Sequence, residues 1–163
     1  MVPRADVAFS IGYAIEGETV YWLLDTLDFG GAVARVEFST SPPTVTLVAL
    51  LDLQPTSIAL RGDDLLVSME QNGNADNAVI VAIPKAGGAP RFVANASAPT
   101  ALEVSPDGRV SWIDHGGNFV RELDPVLELP HTVASSTQHA STVISVDGGF
   151  YVSTGVGILF VQR

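Results

Sequence analysis

The residues of this chain best suited by type and spacing to hold a ligand lie in the stretch Glu70-Gln-Asn-Gly-Asn-Ala-Asp-Asn77. Asn72, Asn74 and Asp76 alternate as oxygen donors, the arrangement a hard cation such as calcium takes from a flexible turn. The stretch departs from the calcium-loop pattern in three places. Asn72 stands where the first Asp belongs, Asn77 where the sharp-turn Gly belongs, and Ile83 at the twelfth position, where an acid completes the shell. A plain solvated loop is the expected reading, so no cofactor is expected, and calcium is the one candidate weighed against that.

Asp25 and Asp114 form a second pair of candidates. Each ends a run of β-branched, aliphatic and aromatic residues, Val20–Leu24 and Val110–Ile113, and the two are expected at equivalent places. There a carboxylate either projects as a ligand or caps backbone N–H groups of the adjacent loop. Asp28 lies in the polar connection that follows Asp25. His115 and His139 fall in connections expected at the same end of the fold, without metal-ligand spacing. The expected ligand-binding set is therefore Asp25, Asp28, Asn72, Asn74, Asp76, Asp114, His115 and His139. No G-x-S-x-G, P-loop, H-E-x-x-H or dinucleotide fingerprint occurs, so no catalytic residue is assigned.

These candidates depend on a scaffold whose clearest stretch is Pro99–Asp114. A Ser105-Pro106-Asp107-Gly108 turn joins two extended runs, with Pro presetting φ and Gly accepting φ > 0, which predicts a β-hairpin. The hairpin recurs. Val20, Leu65, Val110 and Phe150 follow equivalent acid/Gly turns at steps of 45, 45 and 40 residues, the length of a propeller blade. First strands are expected at 12–15, 56–60, 100–104 and 142–146, and third strands at 32–38, 78–84, 118–123 and 156–162. Fourth strands are expected around Val48-Ala49, Val93-Ala94 and Val133-Ala134. No window sustains an apolar period of 3.6, so the fold class is all-β.

The prediction is one β-propeller domain over residues 1–163, with blades near 11–50, 56–94, 100–135 and 141–163. Residues 3–8, similar to Pro90–Ala94, would supply the missing outer strand of the last blade. A ring of four blades in one chain is the expectation. A half-propeller that pairs with a second copy and a fragment of a larger propeller are the alternatives, so the chain is a monomer or a homodimer.

Composition narrows the partners. Eighteen acidic residues against eight basic ones give a net charge of −10, the wrong sign for a nucleic-acid backbone. The longest apolar run, Val45–Leu51, falls short of the ~18 residues of a spanning helix, so no membrane insertion is expected. Without cysteine there is no disulfide and no thiolate chemistry. The N-terminal residues make a poor signal peptide, having one Arg and a broken apolar patch.

Val20-Tyr-Trp-Leu-Leu-Asp25 and Val110-Ser-Trp-Ile-Asp114 resemble the YWTD-type repeat, and Pro99–Asp114 is similar to repeats of the wider NHL and TolB-like propeller group. Ala82-Ile-Pro-Lys-Ala-Gly-Gly88 resembles that group's hairpin between third and fourth strands. Val67 and Val152 replace the Trp in the second and fourth units. The resemblance implies the fold and an extracellular or periplasmic ligand-binding role, and it carries no catalytic residue. The expected function is a binding module that presents one loop face to a small molecule or a protein. The alternative is a lactonase-like hydrolase with a metal at the channel mouth.

Overall fold

A computed structural model describes residues 9–26, 30–71, 74–114, 118–124, 128–135 and 139–162, with the backbone alone at Ala75 and Asp76. These residues form fifteen strands in four antiparallel sheets. The first sheet runs β1 (Phe9–Glu16), β2 (Thr19–Thr26), β3 (Gly30–Glu37) and β4 (Thr44–Leu51). The second holds β5 (Gln54–Arg61), β6 (Asp64–Gln71), β7 (Asn74–Pro84) and β8 (Arg91–Ala96). The third holds β9 (Pro99–Val104), β10 (Val110–Asp114), β11 (Phe119–Leu123) and β12 (Pro130–Ser135). The fourth holds β13 (Ala140–Val146), β14 (Gly149–Thr154) and β15 (Gly157–Gln162). The strand expected from residues 3–8 lies outside the described residues.

Each sheet is a meander, because strands consecutive in the chain are neighbours in the sheet. Between β9 and β10, Gly108 takes φ +83° and donates its N–H to the Ser105 carbonyl at 2.8 Å. The Ser105 hydroxyl, then Arg109, hold the Asp107 carboxyl below its usual range. Gly17, Gly62 and Gly148 repeat the positive φ at the matching turns.

A backbone irregularity also repeats. Where the first strand of each sheet pairs with the second, one extra residue interrupts the ladder: Ile11, Thr56, one of Ala101 and Leu102, and Ser141. The outer strands bulge likewise at Val48, Val93 and Val133. A bulge increases local twist, and these recur in the register of the sequence repeat.

The sheets stack through their inner strands, β1 on β5, β5 on β9 and β9 on β13. Period-two alternation gives every inner sheet two apolar faces. In β7, Val81 and Ile83 face the first sheet while Ile80 and Ala82 face the third. The first seam packs Tyr21, Leu23 and Val33 against Ile58, Leu65 and Val67. The second packs Leu66 and Ile80 against Leu102, Val110 and Trp112, and the third packs Ile113 and Val120 against Val143, Phe150 and Val152.

Among the described residues the first and fourth sheets do not cover one another, so the ring of four blades expected within one chain is not closed by them. Tyr13 is 62% exposed and Trp22 41% on the outward face of the first sheet, and Ile144 is 52% and Phe160 52% on that of the fourth.

The third seam also buries charge. Glu103 pairs across the ladder with Ser111, whose hydroxyl is buried without a hydrogen-bond partner among the described residues. Burial raises the Glu103 carboxyl above its ordinary value of 4.5. A raised carboxyl favours the fold most below its unfolded value, and that contribution is lost as pH rises through the folded value. Glu103→Gln is therefore expected to melt at a higher temperature than the wild type at pH 7. The gap should close when both are melted below pH 4.5, and a constant gap across pH would refute the assignment to Glu103.

Candidate functional site

In a meander, connections between second and third strands leave the sheet at the same end as connections from one sheet to the next. Residues 27–29, 72–73, 115–117 and 155–156 join second to third strands, and 52–53, 97–98 and 136–139 join successive sheets. Of the sequence-predicted site residues, Asp25, Asn74, Asp114 and His139 border these connections among the described residues.

Asp114 closes β10 and is buried, with its side chain 5% exposed. Its Oδ1 accepts from the Trp112 indole Nε1 at 2.8 Å and from the Ser97 backbone N–H at 3.1 Å. Its Oδ2 accepts from Arg121 Nε at 3.0 Å, and that guanidinium also lies 5.8 Å from the Phe119 ring centre. One carboxylate thus ties together β10, β11 and the entry of the chain into the third sheet. The backbone N–H that it caps is that of Ser97, seventeen residues upstream in the connection into the third sheet, while its own loop lies outside the described residues.

Asp25 does not occupy the equivalent place. It lies five residues after Val20, whereas Asp114 lies four after Val110, and strand alternation turns residues of different parity to opposite faces. Asp114 shares the Trp112 face toward the second sheet. Asp25 shares the Leu23 face and accepts from Gln54 Nε2 at 3.0 Å, at the first residue of the second sheet. The two aspartates brace neighbouring elements on different seams.

The stretch Glu70–Asn77 is largely strand. β6 and β7 pair out to Gln71 opposite Asn74, and Asn77 Nδ2 donates to Gln71 Oε1 at 2.8 Å. Asn74 is exposed at the start of β7, and His139 is exposed just before β13. Asp28, Asn72 and His115 lie outside the described residues, as does the side chain of Asp76. Among the described residues no three His, Asp or Glu side chains gather as metal ligands.

Two polar residues missed at the sequence level bind the second seam at this end. The Thr56 hydroxyl donates to the Pro99 carbonyl, and the Ser57 hydroxyl accepts from the Leu102 N–H at 3.0 Å. The Thr-Ser pair recurs only loosely along the chain, as Thr142 without a following Ser shows, which is why the repeat gave no hint of it. The opposite end holds a cavity of about 260 Å³, lined by Arg61, Asp64, Arg91, Phe92 and Glu128 among others. There Arg91 Nη2 bonds Asp64 Oδ2 at 2.6 Å.

Comparison with solved structures places these sheets. Over 98% of this chain and 95% of the other, it resembles the computationally designed Ika4 protein at 11% identity and a TM-score of 0.61. A chain of a nidogen/laminin complex matches over 97% of this chain and 76% of its own at 17% identity and a TM-score of 0.52. A putative gluconolactonase matches over 92% of this chain and 57% of its own at 15% identity and a TM-score of 0.63. No family model matches the chain, and no curated protein matches it. At these identities the likeness shows the fold alone, and that fold is the β-propeller arrangement of four-stranded blades.

Proposed function

We propose that this chain is a non-enzymatic binding module, whose ligand contacts the end of the blades where the polar connections gather. The observation that carries the reading is the employment of the candidate carboxylates. A lactonase-like centre needs several acids converging at the channel mouth, whereas Asp114 is engaged with Trp112, Ser97 and Arg121, and Asp25 with Gln54. Asn74 and His139 are exposed at that end, in the kind of position where a rigid scaffold presents binding groups.

A panel of oligosaccharides and short peptides, screened by calorimetry, tests it. A ligand is expected whose affinity falls about tenfold, or 1.4 kcal/mol, in the Asn74→Ala/His139→Ala double variant. The same ligand should bind unchanged to Asp147→Asn, at the opposite end. Equal binding by the double variant, or turnover of lactones by the wild type, overturns the reading. Calcium chloride titrated in the same cell, with Asp76→Ala as control, tests the cation reading of Asn72, Asn74 and Asp76.

A further inference from the structure

We infer that two copies of this chain close into one eight-bladed ring, in which the outward face of the first sheet of each copy docks on the outward face of the fourth sheet of the other. The inference concerns the end faces and not the connections, so it stands or falls apart from the binding reading.

The three internal seams define what a face needs in order to stack. The face turned toward the preceding sheet carries Leu65 and Val67 in the second sheet, Val110 and Trp112 in the third, and Phe150 and Val152 in the fourth. The same repeat positions in the first sheet are Val20 and Trp22, joined across the ladder by Ile15 and Tyr13. They form a stacking face with no sheet before it among the described residues. On the fourth sheet, Ile144, Tyr151 and Phe160 lie in one cross-strand row, and the Tyr151 and Phe160 ring centres are 5.2 Å apart. They form a stacking face with no sheet after it.

Three observations favour a second copy as occupant. First, the two faces are the halves of the seam already built three times in this chain, so an end of one copy continues the stack of another without new geometry. Second, both are free of charge in a chain with twenty-six charged residues: Tyr13, Ile15, Val20, Trp22, Val45 and Leu47 on one, and Thr142, Ile144, Tyr151, Ser153, Ile158 and Phe160 on the other. Depletion of charge with enrichment of aromatics marks the centre of a protein interface. Third, Ile144, Tyr151 and Ile158 line a hollow of about 270 Å³. In the second seam Trp112 packs in one cluster with Ala59, Leu66 and Ile80, at the corresponding place on the second sheet. The hollow is where Trp22 of another copy would sit.

Ring closure fixes the number of copies. Propellers close with about four to eight blades, and each copy supplies four sheets that do not close on themselves. Two copies related by a two-fold axis then give eight blades and leave no end face open.

Light scattering on the full chain is expected to give ~34 kDa, twice the 17.1 kDa of one chain. Tyr13→Asp and Tyr151→Asp lie on opposite end faces and are exposed in a single copy, so each variant should keep its β-sheet circular dichroism and cooperative melting while running as a monomer. Should either unfold, Tyr13→Ser or Tyr151→Ser takes its place. Mixing the two variants should restore the ~34 kDa species, because the pair retains one seam made of two intact faces. A wild type that stays monomeric at the highest soluble concentration overturns the inference. So does growth into larger species with concentration, or dissociation by only one of the two variants, which would mean that like faces pair.

Discussion

Asp114→Ala is expected to lower the free energy of unfolding by about 3 kcal/mol, since two donors held by the carboxylate lose their acceptor inside the protein and each costs ~1–3 kcal/mol. Those donors are the Trp112 indole N–H and the Ser97 backbone N–H. Arg121, whose side chain is one-third exposed, turns to water and adds little. Asp114→Asn keeps an oxygen in place of Oδ1 and loses only the acceptor and charge offered to the partly exposed Arg121, which water can replace, so its cost should be about 1 kcal/mol. Denaturant unfolding of the two variants measures the difference. Equal costs would mean that the ion pair with Arg121, and not the orphaned donors, supports the third blade. Against a typical total of ~5–15 kcal/mol, the alanine variant loses a large share of the fold.

The second large effect separates the two tryptophans. Trp112→Ala should cost about 3–5 kcal/mol, the range for truncating a buried aromatic, because the indole is 1% exposed between the second and third blades. Trp22→Ala, measured at a dilution where the chain is monomeric, should cost about 1 kcal/mol or less, in line with a partly exposed side chain. Thermal melts of both variants decide it. Similar losses would mean that the outward face of the first blade is covered within a single chain.

This contrast shows how far the sequence carries. Four groups of strands were legible because turn glycines and the Val20, Leu65, Val110 and Phe150 positions recur with the chain's own period, and the observed strands follow them. The motif around Trp22 and Trp112 told nothing of burial, since burial depends on whether another sheet precedes the strand. Asp25 and Asp114 looked alike because both end a strand, yet one residue of spacing turned them to opposite faces. The bulges were invisible for a plainer reason. The outer ones fall on the recurring Val48, Val93 and Val133, but a valine reads as an ordinary strand residue, and what each bulged residue contributes is a backbone step.

Those bulges also decide how the chain tolerates gains and losses of residues. A deletion within an inter-sheet connection shortens a solvated segment and leaves every strand in register. A deletion of Thr56 or Val93 removes the bulge while the residues on either side keep their partners, so what is lost is the local twist and not the register. Length variation along a lineage of such chains should collect in the connections, while the extra residues in β5 and β8 are kept for the twist they give the strand.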